Sequence, residues 1–231
     1  MRGNNVKIGA GVVFYKDYFG MRRLLHSLRN VDVVFCIDGR FKDFPNEEPL
    51  SSESERMMIK SFPNTVLIDA PNLTEIQKRD IYFKHAQQYL CDWLLVIDSD
   101  EILQYFDYKK FKNIQWKEDV LFTQIHKKEF NSPLVWQIRL HKIKHKAVYR
   151  HGPRHFDLHV DNQYHTLGLR MQKPLKVTDE CIIYSDDSMR LKFEPEHAKQ
   201  CEEYSKWLSQ FEKPLKRTCP LCGSQAPKLI S

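Results

Sequence analysis

The sequence predicts an α/β protein: a mostly parallel central sheet flanked by helices, with antiparallel additions and a C-terminal extension. Three observations predict it. Between residues 6 and 103, apolar β-branched runs alternate with segments of helical period, joined by short connections, as in a parallel sheet. One run, Trp93-Leu-Leu-Val-Ile97, is apolar at every position, as a strand covered on both faces requires, and it leads directly into Asp98-Ser-Asp100-Glu101. After Glu101 the pattern changes to apolar–polar alternation, which predicts half-exposed antiparallel or edge strands.

Taken in order, residues 6–15 are apolar and read as the first strand. Phe19, Met21, Leu24, Leu25 and Leu28 recur at helical spacing and predict a helix over 19–29. Residues 31–37 form the second strand, closed by Asp38-Gly39. A polar loop with Pro45 and Pro49 follows, then a short helix over 53–60. Residues 65–68 make the third strand, ended by Asp69-Ala-Pro71. Thr74, with Gln77 three residues on, has the form of a capping box and opens a long helix over 75–90. The 93–97 strand and the acidic turn complete this half. Beyond it, strands are predicted at 120–126, 135–143, 147–149, 156–160 and 181–184, and a helix at 195–211. One domain over 1–212 is expected, with a nucleotide-binding half near 6–103 and an acceptor half near 104–212, then a polar tail over 213–231.

The chain has 231 residues, of which 42% are hydrophobic, enough for one substantial core. No apolar stretch reaches the roughly 20 residues of a membrane span, and the first residues lack the apolar middle of a leader. A cytoplasmic location is therefore expected, peripheral at a membrane surface if the acceptor is lipid-linked. The net charge of +6 is uneven: residues 127–176 hold eleven Lys or Arg against three Asp or Glu, a local +8 that leaves −2 elsewhere. A basic half facing an acidic loop suits a phosphorylated ligand; nucleic acid or an anionic surface fits the charge equally.

Oxygen ligands packed as closely as Asp98 and Asp100 suit a hard divalent cation, Mg²⁺ or Mn²⁺. Asp38, Asp69 and Asp98 each follow a predicted strand, and parallel strands place all three on one rim, where open α/β sheets bind ligands. His155, Asp157 and His159 alternate at period two, a spacing that either completes a metal site on one strand face or marks a basic edge strand. Cys219-Pro-Leu-Cys222-Gly223 is half of a zinc knuckle; a closed structural Zn²⁺ site needs four ligands, from elsewhere in the chain or from a second copy in a homo-oligomer.

The N-terminal half resembles glycosyltransferases of the GT-A fold, closest to family 2-like enzymes. The resemblance is carried by Gly9-Ala-Gly-Val-Val-Phe-Tyr15, Val33-Val-Phe-Cys-Ile-Asp38-Gly39, Gln77-Lys78-Arg79-Asp80 and Asp92-Trp-Leu-Leu-Val-Ile-Asp98-Ser-Asp100-Glu101. It implies a nucleotide-sugar donor, with Asp38 at the nucleoside and Asp98 and Asp100 at the ribose and the metal on the diphosphate. It places Tyr15 beside the base, and Lys78 and Arg79 at a helix start facing the donor; Asp69 belongs to the same rim. A histidine from the C-terminal half is the implied third metal ligand, with His155 and His159 as candidates. The catalytic base is sought among Asp157, Glu129 and Glu101.

Two other readings stay open. A sugar nucleotidyltransferase shares this fold, but such enzymes carry a Gly-rich phosphate loop after the first strand, where this chain has Phe14-Tyr-Lys-Asp17. A nucleic-acid-binding module with a zinc knuckle would use the basic half instead.

Overall fold

The computed structural model describes residues 6–42, 46–117, 120–127, 135–143, 147–151, 156–160, 163–164 and 177–185; beyond residue 117, side chains are described at 139–143, 181 and 183. The elements run β1 (Ile8–Phe14), α1 (Tyr18–Ser27), β2 (Val33–Asp38), α2 (Glu53–Lys60), β3 (Thr65–Asp69), α3 (Glu75–Gln88), β4 (Trp93–Val96), β5 (Glu101–Phe106), α4 (Tyr108–Asn113), β6 (Val120–Lys127), β7 (Val135–Lys142), β8 (Ala147–His151), β9 (Phe156–Val160), β10 (Gln163–Tyr164) and β11 (Val177–Ser185). Eight strands form one sheet in the order β3-β2-β1-β4-β7-β6-β11-β5, and β10-β9-β8 form a second. β1 to β4 are mutually parallel. β7 then joins β4 antiparallel, and β6 and β5 meet their neighbours β7 and β11 antiparallel, whereas β6 and β11 run parallel.

Both faces of the parallel block are covered, as the all-apolar strands require. Ile8, Ala10, Val12, Trp93, Leu95 and Ile97 pack on one face against Met21, Leu24 and Leu25 of α1, Ile59 of α2 and Phe111 of α4. Phe35, Ile37, Leu94 and Val96 pack on the other against Tyr82, Phe83 and Ala86 of α3. Successive strand residues point to opposite faces, so odd and even positions of each strand meet different helices.

Two glycines bring α3 close to the sheet. A Cβ on Gly11 would stand 2.6 Å from the ring of Tyr82, which is fully buried, and one on Gly9 would meet Cys91 Sγ at 3.0 Å. These glycines inside β1 therefore serve packing. The start of α3 is fixed by the capping box the sequence announces: Thr74 Oγ1 accepts from the Gln77 amide at 3.3 Å and Gln77 Oε1 accepts from the Thr74 amide at 2.9 Å. Such caps contribute about 1 kcal/mol.

Two expectations need correction. β7 is an interior strand, wedged between β4 and β6, although its apolar–basic alternation suggests half exposure. Arg139 and His141 on it are buried, because α3 covers that face and Phe83 packs edge-on to His141. The sequence pattern also gave no strand at 101–106; β5 starts within the acidic turn and pairs with β11 at the far end of the sheet.

Candidate functional site

Register puts the acids on one edge. Phe14 at the end of β1 pairs with Asp38 at the end of β2, and Asp38 with Asp69 at the end of β3. Asp98 follows Ile97, whose amide bonds to the Gly11 carbonyl at 3.2 Å. The order of the strands reverses between β1 and β4: β2 and β3 lie on one side of β1 and β4 on the other. Such a switch point leaves a crevice at the carboxyl ends of the strands, the usual ligand position in open α/β sheets.

The side-chain parity of each strand decides which helix each acid meets. Asp38 shares its face with Val34 and Cys36 and so turns to α2, where Arg56 Nη1 lies 2.5 Å from its Oδ2. The Ser51 amide also donates to both Asp38 oxygens, at 3.2 and 3.3 Å. Asp69, its register partner, takes the other arm of Arg56 at 2.8 Å. Asp38 is 0% exposed, whereas half of the Asp69 side chain is open. In this conformation Asp38 offers a donor no exposed atom, and its visible work is to fasten the 46–52 loop over the strand ends.

Asp98 follows the parity of Leu94 and Val96 and turns to α3. Its Oδ1 accepts from Arg79 Nη2 at 2.9 Å and its Oδ2 from both terminal nitrogens of Arg139 at 3.2 Å. Arg139 reaches this point because Leu95 pairs with Leu140, which leaves residue 139 on the opposite, α3 face beside the end of β4. Arg139 Nη2 also donates to Glu101 Oε1 at 2.5 Å, while Glu101 Oε2 accepts from the Asp98 amide at 2.9 Å. The Glu101 amide returns to the Asp98 carbonyl at 3.0 Å. The sequence Asp98-Ser-Asp100-Glu101 is therefore a closed turn, tied at backbone and side chain. Ser99 is buried, and Asp100 stands half-buried in the same turn.

The electrostatics follow from this packing. Burial raises the Asp98 carboxyl, but the guanidiniums of Arg79 and Arg139 outweigh it and hold Asp98 well below the usual carboxylate range. Burial first, with the charge of Asp98, pushes Glu101 up to about 7 against the pull of Arg139. Glu101 has a side chain only 5% exposed with both oxygens engaged, so its position supports the turn more directly than it serves an acceptor.

Lys78 and Arg79 part company. Arg79 also pairs with Glu75 one helical turn back, at 2.7 Å, and reaches the rim. Lys78 turns inward: its Nζ donates to the Gly39 carbonyl and lies 4.0 Å from the centre of the Phe41 ring, with no exposed surface. Burial pushes its ammonium down to about 8 against the charge of Asp38. Gly39 has φ +136°, and a Cβ there would stand 2.7 Å from Pro71 N, so only glycine fits this turn. Tyr15 lies under the Lys16 ammonium, 5.2 Å from its ring centre, and its hydroxyl donates to the Glu48 carbonyl at 2.5 Å.

Asp157 and His159 occupy alternate positions of β9, in register with Arg150 and Val148. Their side chains, and Glu129, His155, Cys219, Cys222 and the 195–211 helix, lie outside the described residues. Arg139 is a site residue that the apolar–basic alternation of β7 does not announce: it is buried between two acids. Knowing that β7 borders β4 would have found it.

A divalent cation can be tested against this donor set. Among the described residues, no group of three or more His, Cys, Asp or Glu side chains could hold a metal. Asp98 has a guanidinium on each oxygen, which opposes a second cation there. Magnesium-type ions are commonly held by one or two carboxylates plus substrate phosphates, and Asp100, with Asp98 behind it, meets that lesser requirement. No helix among the described residues is long and apolar enough to cross a membrane.

No family model matches the chain, and no curated protein matches it. Among solved structures, S. aureus TarS 1-349 in complex with UDP is similar over 57% of this chain and 38% of its own, with 18% identity and a TM-score of 0.44. HddC from Yersinia pseudotuberculosis is similar over 85% and 99%, with 11% identity and a TM-score of 0.41. A 4-diphosphocytidyl-2C-methyl-D-erythritol synthase is similar over 59% and 75%, with 12% identity and a TM-score of 0.40. The chain spans 23% of one TarS structure and 38% of another. Likeness at this level assigns no activity; the sheet order itself, a mostly parallel sheet with β7 antiparallel beside β4, is the mixed α/β arrangement the sequence leads one to expect.

Proposed function

We propose that this chain is a glycosyltransferase that takes a sugar from a nucleoside-diphosphate donor. The observation that carries the reading is the closed acidic turn at the switch point: Asp98 is pinned by two guanidiniums, yet 37% of its side chain remains open at the rim. A carboxylate so held is a fixed acceptor for donor hydroxyls such as those of a ribose. Asp100 is then the residue to hold Mn²⁺ or Mg²⁺ together with the donor's phosphate oxygens. When bound, that ion meets the charge developing on the leaving diphosphate as a Lewis acid.

In an inverting transfer, the acceptor oxygen bonds to the anomeric carbon as the bond from that carbon to the diphosphate oxygen breaks. The diphosphate leaves with the electron pair, and the hydroxyl proton passes to a carboxylate within hydrogen-bond reach. Asp157 and Glu129 are the candidates for that base ahead of Glu101, whose oxygens are already committed to the turn. The basic 127–176 stretch favours an anionic acceptor, a lipid phosphate or a charged polymer.

The nucleotidyltransferase reading is less well supported. β1 runs into Tyr15-Lys16-Asp17, where Asp17 caps α1 by accepting from the Gly20 amide, and its glycines are spent on contact with Tyr82 and Cys91.

The test is a thermal-shift panel of UDP-, GDP-, CMP- and dTDP-sugars with and without Mn²⁺. We expect a metal-enhanced shift with one donor class, lost in Asp100→Ala. Stabilisation by oligonucleotides alone would favour the nucleic-acid module, and pyrophosphate release from a nucleoside triphosphate and a sugar 1-phosphate would favour the nucleotidyltransferase.

A further inference from the structure

We propose that Arg139 is a positioning residue of this site, contributed by the antiparallel half, which holds the Asp98 carboxylate in its working orientation and locks the 98–101 turn. The inference rests on reading that turn as the donor site. Arg139 is 8% exposed and sits beside two acids, Asp98 at 3.2 Å and Glu101 at 2.5 Å. Glu101 in turn accepts from the amide of Asp98, so one guanidinium fixes the Asp98 side chain directly and its backbone through Glu101. Arg79 holds the other Asp98 oxygen from α3. Asp98 is thereby gripped from two elements that the chain reaches at very different points, 19 residues before it and 41 residues after.

Stability alone does not explain a buried arginine here. A buried ion pair or triad is often matched or bettered by apolar residues of similar volume, and the same face of β4 already carries apolar Leu94 and Val96. What an apolar residue cannot do is fix the direction of a carboxylate at the rim. The planar guanidinium can, because its donors have a rigid geometry and touch both acids at once. Outer partners of this kind are commonly worth about 10- to 100-fold in ligand affinity or activity.

The experiment is titration of the full chain with UDP, GDP and CDP, each with and without Mn²⁺, in the wild type, Arg139→Met, Arg139→Lys and Ile59→Ala. Ile59 is a buried residue of α2, packed on the other face of the sheet, and its truncation lowers stability away from the site. We expect Arg139→Met to weaken nucleotide binding about 10- to 100-fold, Arg139→Lys to recover much of the loss, and Ile59→Ala to leave affinity at the wild-type value despite a lower melting temperature. Equal affinity in Arg139→Met, or an equal loss in Ile59→Ala, overturns the inference while the donor reading stands. A wild type that binds none of the three nucleotides in either condition overturns both.

Discussion

Two acid–arginine clusters sit on the same edge of one sheet, and they differ in what they leave open. At the ends of β2 and β3, Arg56 clasps Asp38 and Asp69, and Asp38 is sealed beneath the 46–52 loop. At the end of β4, Arg79 and Arg139 clasp Asp98 from two sides and still leave it at the rim. In sequence the two look alike: an apolar strand that stops at an aspartate. The difference is the neighbourhood. Asp38 belongs to the face covered by α2 and its loop, Asp98 to the α3 face at the end of β4, where part of its side chain is open. The first arrangement builds a wall, and the second presents a group.

Breaking the walled cluster should have the larger effect on stability. Asp38→Ala leaves Arg56 and the Ser51 amide without their buried acceptor, and we expect a loss of about 3–5 kcal/mol in urea unfolding. The equivalent Asp98→Ala leaves Arg79 with Glu75 and Arg139 with Glu101, so a smaller loss, about 1–2 kcal/mol, should accompany abolished nucleotide binding. Equal stability losses in the two variants would erase the distinction.

Lys78, which ties α3 to the β2 turn beside the walled cluster, gives a pH signature. Its folded pKa of about 8 lies below the ordinary 10.5, so between those values the folded state has released a proton that the unfolded state still binds. Stability should therefore rise as pH increases from about 8 to 10.5, by up to roughly 3 kcal/mol. Below pH 8 both states are charged and the cost of burial is fully felt. Urea unfolding at pH 7, 8.5 and 10 should show this rise in the wild type and not in Lys78→Met.

Asp69 sharpens the comparison from the small end. Its pair with Arg56 is half exposed, and surface pairs contribute about 0–1 kcal/mol. Asp69→Asn should shift the unfolding midpoint within that range. A loss near that of Asp38→Ala would mean that Arg56 needs both acids to stay buried.

The elements of the first half were legible because each has a local cause. The 53–60 helix appears at its expected bounds as α2, with Ser52 capping it by accepting from the Glu55 amide, and Thr74 and Gln77 close the capping box before α3. The all-apolar 93–97 run becomes a strand enclosed on both faces. β5 escaped because Glu-Ile-Leu-Gln-Tyr-Phe has no clean alternation and finds its partner, β11, some 80 residues later. Arg139 escaped because a basic residue in an alternating strand reads as solvent-facing, and only a neighbouring helix on that face makes it otherwise.

The sequence by itself determined the strand–helix alternation, the capping box that opens α3, and the placement of three acids at strand ends. These follow from the two-residue period of a strand and from local capping, which need no distant partner. Only the tertiary structure decided that β7 lies against β4 in a register that sets Arg139 beside Asp98, and that Lys78 turns inward while Arg79 reaches the rim. Strand order and register are choices among non-local pairings, and the free energy that selects them comes from the whole packed sheet and its covering helices, not from any single segment.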